Sequence, residues 1–408
     1  MNNGLLTVDE ALARLLAGVQ PIREVEVIAT MAAHGRVLAA PQRSTIDVPG
    51  HDNSAMDGYA VRVADCVSGQ ARLKISQRIA AGAVGAPLAP GTAARIFTGA
   101  PMPLGADAVV MQEQTEAAGD AVIVRHSPKP SEWVRYIGED IRANSEILPA
   151  GIRMRPQDAG LAASVGLATL PVTRKLRAAI FFTGDELVMP GEPLPKGSIY
   201  NSSRYFLTSM LSTFGCEVTD LGIIPDSLTA TREFMRRAAA NHDLVITSGG
   251  MSVGEEDHVK PAVEAEGRLD MWRIAMKPGK PLAFGQVRRT DGTEASFIGL
   301  PGNPVSSFIC MVLFVKPFIL RSMGVQHLAI QSYQVRAAFD WPKPDARQEF
   351  LRVKLGAAGS AELFTNQSSA VLTSTVWGDG LVDNPPRTAI NQGDMVRYLP
   401  FAELLKQW

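Results

Sequence analysis

Cysteine is scarce: the 408-residue chain carries 3, Cys66, Cys216 and Cys310, far apart and with no Cys-x-x-Cys pair. That excludes a disulfide framework and a zinc site built on paired thiolates, and fits a reducing, cytoplasmic setting. Net charge is almost absent too, at -1 from 40 basic and 41 acidic residues. The chain therefore lacks the basic excess with which a general nucleic-acid binder neutralises phosphates, though a local basic site can still hold a small anion. The most apolar stretch, residues 305–320, is broken by serines, Lys316 and Pro317. It falls short of the roughly 18 consecutive apolar residues of a membrane span and reads as a buried helix. Residues 1–10 hold no basic region followed by an apolar run, so no secretory signal is expected. The 6 histidines show no metal-ligand spacing, and there is no nucleophile elbow, no catalytic-cysteine context and no 20–50-residue repeat.

What is present is ordinary globular chemistry: 46% hydrophobic and 20% charged residues, with Gly 36 and Pro 27 pointing to many sharp turns. At ~150 residues per domain the length suggests two to three domains. Thr7 and Glu10 have capping-box spacing at the start of a helix whose face carries Leu12, Leu15 and Leu16, and Gly18 can close it in a left-handed turn. A second helix is expected over residues 22–40. Over residues 45–140 short alternating apolar runs, punctuated by Gly and Pro, predict an all-β module. Helical signals return at Pro156 and end near Gly166.

From residue 177 strands and helices alternate: strands at 178–182, 218–224, 244–247, 273–276 and 296–299, helices at 202–214 and 229–240, and a last helix opened by Asn303 and Pro304. That pattern predicts a parallel, doubly wound sheet. Short strands over 332–397 predict a small C-terminal β barrel or sandwich. The fold class is multidomain α/β plus β. A helical framework (1–44 with 141–176) carries an inserted β domain (45–140), followed by a doubly wound α/β domain (177–327) and a C-terminal small β barrel (328–408).

In an open parallel sheet, ligands bind beyond the carboxyl ends of the strands. Here those ends run into Thr183-Gly184-Asp185-Glu186, Ser248-Gly249-Gly250-Met251-Ser252-Val253-Gly254, Lys277-Pro278-Gly279-Lys280-Pro281 and Leu300-Pro301-Gly302-Asn303-Pro304. Glycines let backbone N–H groups approach an anion, and Ser248 or Ser252 can add hydroxyls; the same residues also suit a tight strand-to-helix turn. Lys277 and Lys280 flank a rigid Pro-Gly turn and can meet a phosphate or oxyanion, or simply face solvent. Glu186, Asp226 and Asp257, just past different strands, are of the type that holds Mg²⁺ when they share an edge, while any one alone suits a helix cap or a surface charge.

These segments have a precedent. Ser54-Ala55-Met56-Asp57-Gly58-Tyr59-Ala60, residues 95–113 (RIFTGAPMPLGADAVVMQE), residues 138–141 (GEDI) and residues 183–187 (TGDEL) resemble one family. So do residues 248–254 with Asp257, residues 277–281 (KPGKP) and residues 299–306 (GLPGNPVS). It is the molybdopterin molybdenumtransferase family, the molybdenum-insertion enzymes that include the C-terminal domain of gephyrin. The resemblance runs in family order from about residue 5 to the C-terminus.

It implies a homodimer of four-part protomers whose cleft lies between the α/β domain of one chain and the helical and β domains of the other. It also implies a reaction: adenylylated molybdopterin and molybdate react, AMP leaves, and molybdenum stays on the dithiolene, with Mg²⁺ assisting. By the same carry-over, Asp57, Thr98 and Asp140 line the cleft from the partner's side, and Glu186, Asp226 and Asp257 are the acidic set near metal or oxyanion. Ser248, Gly249, Gly250, Ser252 and Gly254 with Lys277 and Lys280 bind phosphate, and Pro301 with Pro304 shapes the floor. The molybdopterin adenylyltransferase is an expected partner. As a rival identity that enzyme is disfavoured by length, since it is small and lacks the N-terminal framework. A scaffold that keeps the fold but binds a partner peptide is the other alternative.

Overall fold

The computed structural model describes residues 5–225, 227–250, 258–279 and 281–406. The chain divides into two compact units: Met1–Ala40 with Gly151–Pro156 and Thr169–Trp408, and Pro41–Ala150 with Gln157–Ala168.

The larger unit is built on a six-stranded sheet in the order Glu217–Ile223, Arg177–Phe182, Leu244–Ser248, Glu294–Leu300, Pro281–Arg288, Gly267–Arg273. The first four strands are parallel. Pro281–Arg288 is antiparallel to both of its neighbours, so the sheet is mixed where the sequence reading expects a parallel one. Residues 289–293 explain the difference. Asp291 accepts from the Thr293 N–H at 2.9 Å and Gly292 takes φ +83°, making a tight hairpin where a parallel return needs a crossover of about a dozen residues. The expected strand at 273–276 is not continuous in this sheet: Gly267–Arg273 ends at Arg273, and Met276–Lys277 pairs with Gln348–Leu355 instead.

Arg177–Phe182 is apolar on both faces because both are covered. Ala178, Ile180 and Phe182 join a core with Leu207, Leu211, Phe308 and Val312, while Ala179 and Phe181 meet Met235, Ala239, Val245 and Val259 on the other face. The helices Ser202–Thr213 and Leu228–Asn241 start where Asn201 and Ser227 accept hydrogen bonds from the N–H groups of Arg204 and Ala230. Among the described residues one helix, Pro304–Ser322, is long and apolar enough to cross a membrane. Here it is a core helix, with 83% of its apolar window buried. Its turn widens over Met311–Val315, just ahead of Pro317, whose ring cannot sit against the carbonyl four residues back.

At the N-terminus the capping box of Val8–Ala17 forms, with the Glu10 N–H donating to the Thr7 hydroxyl at 3.2 Å and the Thr7 N–H to the Glu10 carboxylate at 2.8 Å. Gly18, however, caps in the right-handed region at φ -84°. Its lack of a side chain serves close packing: a Cβ there would lie 2.6 Å from the Phe284 ring. That ring is held by Trp272 and Phe318 at centroid distances of 5.7 and 5.9 Å. Gly18→Ala should therefore cost about 1–3 kcal/mol by overpacking, read as a lower urea midpoint at unchanged slope. An unchanged midpoint would show that the ring yields.

No helix occupies residues 22–40. Val25–Ala29 is a strand paired with Thr169–Thr173, followed by a single 3-10 turn, Thr30–Ala32. The β-branched Val25, Val27 and Ile28 suit a strand, and pairing with a strand distant in sequence overrides local helical spacing.

The C-terminal part of this unit is a sheet in the order Met276–Lys277, Gln348–Leu355, Gly380–Asn384, Met395–Pro400, Tyr333–Arg336, with Ala361–Leu363 also on Gln348–Leu355. A single bridge, Ala337 to Ala361, joins the far end back to Ala361–Leu363, so the strands run round a ring. The second unit carries its own sheet in the order Ala108–Met111, Gly58–Val61, Thr92–Ile96, Ala71–Ile79, Ala121–Val124, Thr115–Ala118. Its cores hold Val61, Leu73, Val110 and Val122 on one side and Ile79, Leu88, Ile96 and Val109 on the other.

Candidate active site

Three of the strand-end loops converge at the carboxyl edge of the parallel strands. Gly249 takes φ +96° and Gly250 φ +65°. A Cβ on Gly249 would lie 3.0 Å from the Thr183 carbonyl, and one on Gly250 would lie 2.5 Å from Val259 Cγ2 and 2.7 Å from Thr183 Oγ1. A Cβ on Gly302, in the third loop, would be 3.8 Å from Gly249 Cα. The glycines are thus required both by backbone conformation and by contact. The Gly249 N–H donates to the Leu300 carbonyl at 3.3 Å.

Ser248 is buried, and its hydroxyl lies 3.2 Å from the Pro301 carbonyl and 3.3 Å from the Ser307 hydroxyl. These contacts tie the loop to the framework. The neighbouring Thr247 Oγ1 is buried with no hydrogen-bond partner among the described residues. Pro301 also accepts from Ser307, and Pro304 opens the buried helix at its first position, with Asn303 in the N-cap conformation. The Asn303 side chain makes no capping bond; the Val305 N–H instead donates to the Ser369 carbonyl at 3.1 Å. Segment 366–370 of the C-terminal sheet region therefore adjoins the floor of the site.

Glu186 is exposed, and its carboxylate folds over Gly184, where a Cβ would come within 2.5 Å of Oε2. Gly279, at φ +101°, packs against Cys310 and Ser306, which sets the Lys277–Gly279 turn on the first turns of the buried helix. Lys277 does not point its ammonium freely outward. Nζ lies 3.3 Å from Glu349 Oε1 and 3.5 Å from Asp345 Oδ2. Asp226, Ser252, Gly254, Asp257 and Lys280 lie outside the described residues. Among the described residues no group of three His, Cys, Asp or Glu side chains is placed to hold a metal.

The second unit assembles its own polar corner. Gly58 lies so close to Val110 that a Cβ would fall 2.0 Å from its carbonyl oxygen, which brings the turn before it against the 97–100 turn. Asp57 Oδ1 accepts from the Thr98 N–H at 2.8 Å and the Thr98 hydroxyl at 2.7 Å. Those bonds, the backbone one first, hold its carboxyl below the ordinary value, with Arg95 adding to the effect. Asp57 is therefore an anionic acceptor at neutral pH and a poor proton donor. Asp140 is exposed, and its N–H donates to the Val48 carbonyl at 3.0 Å, anchoring its segment to the strand-like stretch that leads to Asp57.

Sequence reasoning passed over Arg95 in this unit and Glu349 and Arg352 in the larger one. Arg95 stands opposite Tyr59 in the ladder, lies 4.5 Å from the Phe97 ring centroid, and donates to the Gly58 carbonyl at 2.8 Å and Gln112 Oε1 at 2.7 Å. The i, i+2 spacing of Arg95 and Phe97 on a strand was the available signal. Glu349 and Arg352, both 1% exposed, carried none, because only packing makes a charged residue in a strand interior unusual. Burial pushes the Arg352 guanidinium down to about 10, and its hydrogen bonds go to the Ser374 hydroxyl and the Phe350 and Ser368 carbonyls, all uncharged. All three cysteines are buried, and burial raises their thiols to about 11 for Cys66 and about 12 for Cys216 and Cys310, which makes them unreactive.

Comparison with known proteins places these features in context. Residues 6–166 match the profile "MoeA N-terminal region (domain I and II)", residues 179–321 match "Probable molybdopterin binding domain", and residues 334–401 match "MoeA C-terminal region (domain IV)". The chain is 39% identical over 321 residues to a molybdopterin molybdenumtransferase of Haemophilus influenzae, covering 78% of each chain. It is 33% identical over 386 residues to molybdopterin molybdenumtransferase 2 of Mycobacterium tuberculosis, covering 92% of this chain and 93% of that one. Its fold is similar to the crystal structure of a molybdopterin biosynthesis protein of Pyrococcus horikoshii, with TM-score 0.84, 26% identity, and 97% and 100% of the two chains covered.

Proposed function

Because the chain belongs to the molybdopterin molybdenumtransferase family, transferases of molybdenum cofactor biosynthesis, we propose that it takes adenylylated molybdopterin and molybdate, releases AMP and leaves molybdenum on the dithiolene. The observation that carries this reading is the Gly249-Gly250 cradle. There two left-handed glycines bring the backbone against Thr183, beside the floor formed by Pro301 and Pro304. Backbone at such close quarters suits a phosphate group, and Lys277 stands at the same edge as a cation.

In this reading Gly249, Gly250 and Lys277 hold the anhydride, and Lys280, Ser252 and Gly254 extend that contact. Glu186, Asp226 and Asp257 are the acidic set that engages Mg²⁺ or keeps molybdate oriented. Asp57, Thr98 and Asp140 present an ionised acceptor to the donor groups of the pterin. The described residues do not by themselves make a magnesium site, since Glu186 is the one described member of the set. Positioning of polyanionic reactants is the main work of such a site. The protein acts as a homodimer in the cytoplasm and receives its substrate from the molybdopterin adenylyltransferase.

Purified protein with adenylylated molybdopterin, molybdate and Mg²⁺ should release AMP and yield cofactor that activates an apo-molybdoenzyme. Omitting molybdate or chelating Mg²⁺ should stop both. Asp57→Asn, which keeps an oxygen for Thr98 but loses the charge, should slow AMP release on the order of a hundredfold without changing the circular dichroism spectrum. Binding without molybdate-dependent release would overturn the reaction and leave the scaffold alternative. Wild-type turnover of Asp57→Asn would remove that residue from the site.

A further inference from the structure

Glu349, the second residue of Gln348–Leu355, is a carboxylate with 1% exposure, and its two oxygens are met differently. Oε2 accepts from Trp341 Nε1 at 2.7 Å and the Asp345 N–H at 3.1 Å, both neutral donors. Oε1 faces Lys277 Nζ at 3.3 Å. A buried carboxylate needs a counter-charge, and among the described residues Lys277 is the cation in contact with it. The backbone enforces the meeting. Met276–Lys277 runs parallel to Gln348–Leu355 with Lys277 opposite Glu349, and the Gln348 N–H donates to the Ala275 carbonyl at 2.9 Å.

Asp345 adds a second anion 3.5 Å from the same ammonium. It is kept ionised by Arg347, which donates to Oδ1 at 2.9 Å and Oδ2 at 2.8 Å and holds the carboxyl well below the usual carboxylate range. An ammonium has three N–H donors. Two carboxylates from the C-terminal sheet region occupy two directions and leave the third for an anion.

We propose that Glu349, with Asp345 beside it, is a positioning residue for Lys277, and that fixing this amine at the anion-binding edge is what the C-terminal sheet contributes to the site. The proposal rests on the reading above, in which Lys277 meets the phosphate part of the substrate. A lysine held by two carboxylates has already lost the side-chain freedom that binding would otherwise remove. The contribution should therefore appear in affinity and leave the chemical step alone.

The test is a double-mutant cycle read by equilibrium binding of adenylylated molybdopterin, with KM and kcat for AMP release alongside. Glu349→Gln keeps acceptor and shape for Trp341 and the Asp345 N–H but removes the charge facing Lys277. It should weaken binding and raise KM about three- to tenfold with kcat unchanged. Lys277→Met should weaken binding at least as much, and in that background Glu349→Gln should add nothing. Equal cost of Glu349→Gln in both backgrounds would reveal a merely structural carboxylate and overturn the proposal. So would a Lys277→Met protein that binds normally. Asp345→Asn, at a less buried site, should show the same dependence on Lys277 at smaller size and decides the matter if Glu349→Gln does not fold. A wild-type protein that does not bind the adenylylated pterin overturns the functional reading together with this one, whereas a binding wild type without coupling overturns this one alone.

Discussion

Gly250→Ala should leave a folded protein that releases AMP on the order of a hundredfold more slowly than the wild type. The position is constrained twice. Its φ of +65° strains any L side chain, and the new Cβ would fall 2.5 Å from Val259 Cγ2 and 2.7 Å from Thr183 Oγ1. Relief requires the loop to lift from the end of Arg177–Phe182 or Val259–Glu266 to shift, either of which misplaces the cradle by a sizeable part of an ångström. The stability cost should be only about 1–3 kcal/mol, because the strain is local. Gly292→Ala separates the two effects. Gly292 has φ +83° in the 289–293 hairpin with nothing within 4 Å of a new Cβ, so it should show the backbone cost and keep full turnover. Equal turnover in both variants would mean that the cradle is only a turn.

Asp243→Ala should destabilise the larger unit by about 3–5 kcal/mol. Asp243 is bidentate to Arg174, at 2.8 and 3.2 Å, and accepts from the Arg177 N–H at 2.8 Å. Arg174 is 11% exposed at the side chain, so removing the carboxylate strands a desolvated guanidinium whose remaining carboxylate is the exposed Glu24. Burial alone would raise the Asp243 carboxyl; Arg174 and the Arg177 N–H overcome it and leave the group below its ordinary value of 3.8. A depressed folded value means stability that is present above pH 3.8 and lost as pH falls through the folded value. Urea unfolding of wild type and variant should therefore differ by the full amount at pH 7 and converge in strong acid. A constant difference down to the lowest pH would show that lost packing, not charge, sets the cost.

Much of the site was legible because its chemistry is local. Gly249 and Gly250 announce backbone that other residues avoid, and Asn303-Pro304 announces a helix start, so the positions of the loops follow from residue types alone. What those loops do with their side chains was not legible. Ser248 looks like an anion donor in sequence, and spacing does not show that its hydroxyl meets the Pro301 carbonyl. Lys277 looks like a free amine beside a Pro-Gly turn, yet it meets Glu349 and Asp345, some seventy residues later in the chain. Hydrogen-bond partners of this kind are set by three-dimensional neighbours, which spacing does not encode.

By itself the sequence determined the strand-helix alternation after residue 177, the all-β texture before it, the capping box at Thr7 and the buried character of the 305–320 helix. Each of these depends on periodicity or on a single backbone preference, and such signals are complete within one or two turns of chain. Only the tertiary structure decided that residues 25–29 are a strand, since their partner lies at 169–173. It alone decided that Pro281–Arg288 runs against the other strands of its sheet, and that Gly18 makes room for Phe284 and takes no left-handed turn. It alone set a buried carboxylate from the C-terminal sheet against a lysine at the site. Pairing, close contact and charge compensation are properties of surfaces brought together by folding, and residues far apart in sequence acquire them only there.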